Sequence, residues 1–109
     1  DMVVSGGVNL YPSESENALR QHPAVADVAV TGIPHPDLHE QLLALIVPAD
    51  PAAAPSAAEL ESFCRELISA YKIPRQYEFI SELPRNEMQK VDKKALRRPY
   101  WDSDRTIAG

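Results

Sequence analysis

Two short segments of this chain carry residues whose types and spacing suit chemistry better than they suit folding. The first is residues 83–90, LPRNEMQK, which ends in Lys90. Pro84 fixes the backbone before this lysine, and a short helix is predicted directly after it, over Asp92–Arg98. A single ammonium group held out on a long side chain can offset negative charge that develops on a bound reactant. The segment is therefore a plausible way to hold out the single ammonium group of Lys90.

The second segment contains the glycine pair Gly6-Gly7. The predicted strands Met2–Val4 and Val8–Leu10 flank the pair as a small hairpin, and Pro12 is predicted to begin a helix. Glycine adopts positive φ easily, and its missing side chain lets another molecule lie close to the backbone. A glycine pair alone predicts only a turn, and without a longer glycine pattern it is no phosphate-binding fingerprint.

The remaining sequence predicts the elements that must position both segments. Leu42–Val47 is apolar at every residue, so it is predicted to be a central strand buried on both faces. The order of elements predicts an α+β domain with a small mixed β-sheet, packed helices and the N-terminal β-hairpin. The other predicted elements are a helix over Pro12–His22, strands over Val25–Ile33 and Tyr77–Ile80, a surface connection over Pro48–Pro55 and the helix Asp92–Arg98.

One helix between the strands has the clearest signature. Ser56 and Glu59 form a predicted capping box at its start. Apolar residues then recur at spacings of three and four, which predicts one buried face that extends to Tyr71. The residues of this stripe are Leu60, Phe63, Cys64, Leu67, Ile68 and Tyr71.

Length and charge limit what the chain can do by itself. Its 109 residues suffice for one domain, 1–109, with a modest core. The net charge of −5 is uneven: residues 1–70 hold ten acidic and two basic side chains, whereas residues 71–109 hold six acidic and nine basic ones. The acidic body argues against nucleic acid as a partner. The basic end could meet phosphates or be a solvated helix face; its cations are Lys90, Lys93, Lys94, Arg97 and Arg98.

Membrane and metal sites find little support in the sequence. No apolar run approaches the length of a transmembrane segment, and no basic-then-apolar leader is present. Cys64 has no partner for an internal disulfide, and we expect a cytoplasmic protein. His35 and His39 have the spacing of a zinc-binding helix, but the flanking prolines exclude a regular helix there, so no metal site is predicted.

Two further groups of reactive side chains are assigned structural roles. Cys64 lies on the apolar stripe, where a thiol is usually an inert small hydrophobe. Glu14 and Glu16 are two residues apart, so on a helix they do not face each other as a catalytic pair. Both are expected to complement the helix N-terminus.

Residues 5–16, SGGVNLYPSESE, and residues 83–97, LPRNEMQKVDKKALR, resemble the two signature segments of a known family. This is the C-terminal domain of the AMP-forming acyl-CoA synthetases, the adenylate-forming superfamily that includes fatty-acyl-CoA ligases, luciferases and peptide-synthetase adenylation domains. The segments 22–40 and 70–84 fall in the order that this family shows. The tail, residues 97–107, resembles the end of some bacterial fatty-acyl-CoA ligases.

The resemblance implies that the chain is the mobile C-terminal domain of a longer ligase, cut near a hinge. Residues 1–11 would be a hairpin with the glycine loop, and residues 99–109 a C-terminal tail. In such ligases a larger N-terminal domain binds ATP and the fatty acid, and the full-length enzyme uses ATP, Mg²⁺ and CoA. We expect this domain to bind no cofactor alone, to have that N-terminal domain as its partner, and to be inactive in isolation.

The resemblance also implies roles for individual residues. Lys90 matches the lysine that assists adenylation. Gly6, Gly7 and Val8 match the loop that then enters the active site for the reaction with CoA, after a rotation of the domain.

Three more residues match positions that contact the CoA nucleotide in the family. Tyr71 falls where an aromatic ring lies near the adenine, and Lys72 and Arg75 are within reach of the phosphates. The alternative for Tyr71 is a core residue that ends the helix.

Several positions depart from the family pattern and bear on loop geometry and acceptor contacts. Gln89 stands where glycine usually precedes the catalytic lysine, and Asn86 replaces a frequent Thr or Ser. Val8 stands where Glu is common, and Leu38-His39 replaces a frequent Trp-Gly pair. Two alternative functions stay open: a ligase that loads an acyl carrier protein, and a non-catalytic interaction module with the same fold. The sequence does not indicate the acyl chain length.

Overall fold

One long antiparallel hairpin forms the centre of the fold. Its strands are Val25–His35 (β3) and His39–Pro48 (β4), which pair at ten positions from Val25↔Pro48 to His35↔His39. Every residue of β4 from Leu42 to Ile46 is buried. The predicted central strand with two buried faces is therefore confirmed.

The computed structural model describes the backbone of residues 2–108 and the side chains of residues 2–101. Within these bounds the predicted α+β class, with a small mixed sheet, packed helices and an N-terminal hairpin, is confirmed. The elements besides β3 and β4 are strands Val3–Ser5 (β1), Val8–Leu10 (β2) and Gln76–Phe79 (β5), helices Pro12–Arg20 (α1), Ala57–Arg65 (α2) and Lys93–Ala108 (α3), and short 3₁₀ turns at Pro51–Ala53 and Ala70–Lys72.

Strand β4 carries neighbours on both of its edges. Strand β3 runs along the whole of one edge, so β1 and β5 share the other edge, end to end. β1 pairs antiparallel at the beginning of β4, through Ser5↔His39, and extends the sheet to β2. β5 pairs parallel further along, from Leu43↔Gln76 to Ile46↔Phe79. The single parallel pair makes the sheet mixed, as predicted.

Alternate residues of the central strands enter two separate cores. Leu42, Ala44 and Ile46 face one core, together with Leu19 of α1 and Leu60 of α2. The intervening residues of β4 face a second core on the other side of the sheet, which α3 covers. The second core contains Ala29, Ile33, Leu43, Leu45 and Leu83, with Val91, Leu96 and Tyr100 packed against it. This alternation is the period-two pattern of a strand that is covered on both faces.

The outer edge of β3 meets side chains from two helices. The carboxylate of Glu16 accepts the N–H of Val30 at 2.8 Å, and it also pairs with Lys93 at 2.8 Å. Trp101 Nε1 of α3 donates to the Gly32 carbonyl at 3.1 Å. Glu16 therefore joins α1, β3 and α3 rather than complementing its own helix N-terminus, and that prediction for Glu16 is wrong. Its partner in the prediction, Glu14, does lie in the first turn of α1, where it also pairs with Lys72.

The predicted end of this strand at Ile33 is also wrong, since β3 continues to His35. Backbone groups of Val28, Val30 and Gly32 point away from β4, so by alternation Pro34 does so too. Its missing N–H removes no hydrogen bond of the sheet, and proline is tolerated on such an edge.

Helix α2 is shorter than its apolar stripe predicts. Ser56 Oγ accepts the Glu59 N–H at 3.0 Å, which confirms the Ser56 half of the predicted capping box, whereas the Glu59 carboxylate lies 2.9 Å from His22 Nε2. The helix ends at Arg65, and Ser69 is already extended at φ −65° and ψ 148°. The chain must turn here to enter β5, and Pro74 cannot continue a helix. Leu67 is consequently 45 % exposed instead of belonging to the core.

Helix α3 is longer than predicted, because it continues past Arg98 and through Pro99. Proline removes one backbone hydrogen bond at this point. The two residues that follow Pro99 hold this part of the helix against the sheet. Trp101 Nε1 donates to the Gly32 carbonyl, and the Tyr100 hydroxyl donates to Glu78. Burial, and then this hydrogen bond, raise the pKa of Tyr100.

We expect Gly32→Ala to destabilise the fold by about 1–3 kcal/mol, the usual cost of overpacking. A Cβ at this position would lie 2.9 Å from Val3 Cγ2 and 2.7 Å from Glu40 Oε2. The glutamate can move aside, whereas the Val3 side chain is buried. Urea denaturation measures the loss. Repeating Gly32→Ala in a Val3→Ala background is the control: the cost should shrink there, and an equal cost in both backgrounds would contradict the steric explanation.

Candidate functional site

The glycine pair forms the tight turn between β1 and β2. Ser5 pairs with Val8, so Gly6 and Gly7 are the two turn residues, with φ of 56° and 82°. Positive φ at both central residues is the conformation that a two-residue hairpin turn favours. The Gly6 N–H donates to the Leu38 carbonyl at 2.9 Å, which fixes the turn against the β3–β4 connection. The predicted positive φ is confirmed.

An open groove of about 400 Å³ lies beside this turn. It brings together four of the six residues predicted to contact CoA: Gly6, Val8, Tyr71 and Arg75. They come from chain positions about 65 residues apart, so the fold and not the local sequence unites them. The other lining residues are Ser5, Leu10, Leu38, Glu61, Arg65, Ala70, Ile73 and Pro74.

Tyr71 lies on the surface of this groove. It belongs to the short 3₁₀ turn Ala70–Lys72 and is 56 % exposed. The alternative prediction, a core residue at the end of α2, is therefore wrong. The exposed ring offers a flat apolar surface on which a planar group can stack.

The other two predicted CoA contacts lie outside the lining of the groove. Gly7 is exposed at the tip of the turn, and a Cβ built on it would meet no atom within 4 Å. Lys72 Nζ lies 2.6 Å from Glu14 Oε2 and 5.7 Å from the centre of the Tyr71 ring. The hydrogen bond to Glu14 raises the pKa of Lys72. Its part in binding phosphate stays a prediction.

Sequence reasoning missed an ion pair in the groove. Arg65 Nη2 lies 2.7 Å from Glu61 Oε1, with both side chains well exposed. Such exposed pairs are weak, so Arg65 is free to exchange Glu61 for another anion. The i, i+4 spacing of Glu61 and Arg65 was a visible signal, but nothing in the sequence placed them next to Arg75.

Lys90 lies at the end of a compact loop organised by Asn86. The Asn86 side-chain oxygen accepts the N–H groups of Met88 at 2.8 Å and of Lys90 at 3.1 Å, while the Asn86 N–H donates to the Lys90 carbonyl at 2.8 Å. The Lys90 side chain itself is exposed. Asparagine therefore supplies the local hydrogen bonds that a turn of this kind requires.

Gln89 has a φ of 64° in this loop. This left-handed conformation is one that glycine adopts freely and that a side chain disfavours. The position where the family usually has glycine therefore keeps the backbone geometry of a glycine in this chain.

The Lys90 loop and the glycine turn lie at opposite ends of the β3–β4 hairpin. Arg85 of the lysine loop pairs with Asp27 near the start of β3, at 2.7 Å, whereas Gly6 binds Leu38 beyond the end of β3. At roughly 3.3 Å per residue, the strand between these anchor points spans about 25 Å. No single pocket can therefore hold both loops of one copy of this domain.

The histidine and cysteine side chains offer no ready metal site. His35 Nδ1 accepts the N–H groups of Asp37 at 3.1 Å and Leu38 at 3.0 Å, which occupies the lone pair that a metal would need. Cys64 is buried, and burial, then Glu61, raise the pKa of its thiol to about 11. Among the side chains that the structure describes, no group of three or more His, Cys, Asp or Glu could hold an ion. Over the same part of the chain, no helix is long and apolar enough to cross a membrane.

Comparison with known proteins identifies the family of this chain. The family model for the AMP-binding enzyme C-terminal domain matches residues 14–90, which include Lys90. The chain belongs to this family. Its sequence and its fold are those of the C-terminal domains of adenylate-forming enzymes.

The proteins that this chain resembles are much longer than the chain itself. The chain is 40 % identical over 107 residues to 2-succinylbenzoate–CoA ligase of Geobacillus kaustophilus, covering 98 % of this chain and 22 % of that protein. It is 38 % identical over 108 residues to the fatty acid–[acyl-carrier-protein] ligase ScoC of Streptomyces coeruleorubidus, covering 98 % and 21 %. The structure resembles the Mycobacterium tuberculosis fatty acyl CoA synthetase with a TM-score of 0.85 at 33 % identity, over 94 % of this chain and 20 % of that one. The chain thus spans about a fifth of the length of these relatives.

We expect Gln89→Gly to stabilise the domain by about 0.5–1 kcal/mol. Glycine relieves the left-handed strain at φ 64°, and its greater freedom in the unfolded chain offsets part of the gain. Gln89→Ala is the matched control. It removes the side chain beyond the Cβ but keeps the Cβ, which causes the strain, so it should bring no gain in stability. The midpoint of chemical denaturation measures both variants. A glycine variant less stable than the alanine one would contradict this account of the loop.

Proposed function

We propose that this chain is the mobile C-terminal domain of a fatty-acid–CoA ligase and that it serves two successive half-reactions. The observation that supports this most directly is the separation of the Lys90 loop from the glycine turn by about 25 Å along one hairpin. Each loop would act in turn at an active site in a larger N-terminal domain, which binds ATP with Mg²⁺ and the fatty acid. The domain rotates between the two steps.

Lys90 serves the first half-reaction. An oxygen of the acyl carboxylate attacks the α-phosphorus of ATP, and pyrophosphate leaves. This attack brings two anionic groups together, and an ammonium placed beside them offsets the charge that builds up in the transition state. The exposed side chain on a hydrogen-bonded loop suits this task, because the loop fixes the backbone while the long stem reaches outward.

The glycine turn and its groove serve the second half-reaction. The thiol of CoA attacks the carbonyl carbon of the acyl-adenylate, a thioester forms, and AMP leaves. Gly6 and Gly7 present bare backbone, past which the narrow pantetheine arm reaches the adenylate. The groove beside the turn receives the nucleotide: Tyr71 stacks on the adenine, and Arg75, with Arg65 beside it, pairs with the phosphates.

A carrier protein is the second candidate for the acceptor. One relative, 38 % identical over 98 % of this chain, is named a fatty acid–[acyl-carrier-protein] ligase. A carrier protein presents the same pantetheine thiol but lacks the adenine nucleotide. The two acceptors are distinguished by offering the acyl-adenylate form of the full-length enzyme either CoA or a phosphopantetheinylated carrier protein. Only the use of CoA should depend on Tyr71 and Arg75.

Lys90→Ala in the full-length ligase should slow adenylation by about 10²–10³-fold, the effect of removing one positioned electrostatic group. Thioester formation from premade acyl-adenylate and CoA should be nearly unchanged, because the domain has by then rotated and carried Lys90 away. Pyrophosphate release and thioester formation measure the two steps. Lys94→Ala, which removes another exposed lysine near the start of α3, is the control. Wild-type adenylation by the Lys90 variant would mean that this loop does not assist the step. A full-length protein that makes no acyl-adenylate with Lys90 intact would favour the non-catalytic interaction module.

Gly7→Leu should reduce thioester formation by orders of magnitude while adenylation stays near the wild-type rate. A Cβ at this position meets no atom of the domain within 4 Å, so we expect the leucine to project into the space proposed for pantetheine. Gly7→Ala is the matched control, since it carries the same strain at φ 82° with little bulk and should be much less impaired. An equal fall of both half-reactions in both variants would mean that the turn is only structural.

A further inference from the structure

The side chain of Lys90 starts from a peptide unit that is held on both sides. The peptide that joins Gln89 to Lys90 has two polar groups. Its N–H donates to Asn86 Oδ1 at 3.1 Å, and its carbonyl accepts from Arg85 Nη1 at 3.2 Å. Because the lysine side chain is exposed, the orientation of this peptide determines where its stem begins.

Arg85 connects that peptide to the body of the domain. Its other terminal nitrogen, Nη2, lies 2.7 Å from Asp27 Oδ2. The second oxygen of the same carboxylate, Oδ1, accepts the N–H of Val28 in β3 at 2.9 Å. The Asp27 carboxylate thus contacts both the backbone of β3 and the Arg85 guanidinium, and the guanidinium in turn contacts the loop. A planar guanidinium suits this place, because its donors point in fixed directions to two acceptors at once.

The exposure of this pair argues for a geometric role. The side chains of Arg85 and Asp27 are 42 % and 30 % exposed, and ion pairs of that kind contribute little to global stability. The Asn86 bonds are internal to the loop, so they shape it without fixing its direction. Leu83 and Val91 anchor the two ends of the loop in the second core, and the Arg85–Asp27 contact links the loop itself to β3 and so helps to set the direction in which it points.

We propose that Arg85 is a positioning residue for Lys90, acting through the Asp27 carboxylate on one side and the Gln89–Lys90 peptide on the other. The inference rests on the proposed role of Lys90 in adenylation. Its consequence is specific: loss of the link should lower the rate of the adenylation step, since a misplaced ammonium stabilises the transition state less well. It should leave substrate binding and the second half-reaction unchanged.

The test uses the full-length ligase that contains this domain. Arg85→Gln should lower kcat for pyrophosphate formation about tenfold, a modest value for a misplaced catalytic group, with the KM values for ATP and fatty acid unchanged. Thioester formation from premade acyl-adenylate should keep its wild-type rate. Arg85→Lys should recover part of the rate, since it keeps the charge opposite Asp27. Arg98→Gln, the same change at an exposed arginine of α3, is the control and should have no effect.

Asp27→Asn tests the same link from its other end with almost no change of shape. It should slow adenylation in the same way, and combining it with Arg85→Gln should slow the reaction no further, since both break one link. The result also covers the case in which the Arg85 variant fails to fold.

Three outcomes would overturn the inference. Wild-type adenylation by Arg85→Gln and Asp27→Asn, with Lys90→Ala still slow, would remove the positioning role and leave the proposed function standing. Equal losses in both half-reactions together with a lower Tm would make Arg85 a purely structural residue. Wild-type adenylation by Lys90→Ala would show that the proposed function itself is wrong, and the role of Arg85 would fall with it.

Discussion

The register between β3 and β4 is the constraint on which the rest of this structure depends. Because β4 is apolar at every residue from Leu42 to Ile46, hydrophobicity alone does not decide which alternate residues face which core. The short connection between the strands decides it. His35 accepts two N–H groups of that connection through Nδ1, and His39 takes a φ of 77° to enter β4 opposite it. A slip of one residue would exchange the two cores.

The glycine turn and the Lys90 loop both take their positions from this register. At one end of the hairpin the Leu38 carbonyl receives the Gly6 N–H, and at the other end Asp27 receives Arg85. Neither loop contacts the other, so the rigid pair of strands sets the distance between them. A hairpin packed on both faces transmits position well, because its backbone is hydrogen-bonded and its side chains are close-packed on each side.

The sequence allowed good prediction of features that local patterns determine. The central strand followed from an unbroken apolar run, the positive φ of the turn from two glycines, and the cap of α2 from Ser56. Prediction failed where distant contacts override local preference. The stripe that reached Tyr71 looked helical, but the chain turns earlier to bring β5 beside β4, which local spacing does not show.

The residues of the candidate site were likewise predictable where local motifs determine them and unpredictable where distant contacts do. The glycine turn, Lys90 and the groove residues Tyr71 and Arg75 could be named in advance from motifs. The partners that tune them could not: Lys72 meets Glu14 across 58 residues of sequence, and Arg85 meets Asp27 across the same separation. Long side chains find such partners only once the fold has formed. For Gln89 the motif showed an unusual residue, and only the backbone angle showed that the loop conformation is kept.

Side chains that bind the outer edge of β3 also protect that edge from pairing with strands of other copies of the chain. β3 is long and apolar, and an open edge of this kind is a template for strand addition and aggregation. Here the Val30 N–H donates to the Glu16 carboxylate, and Trp101 Nε1 donates to the Gly32 carbonyl. Arg20 Nη2 lies 3.5 Å from the Val28 carbonyl oxygen. These groups belong to α1 and α3. The edge is therefore protected from intermolecular pairing only when both helices are docked, so the folded state itself blocks this route to aggregation.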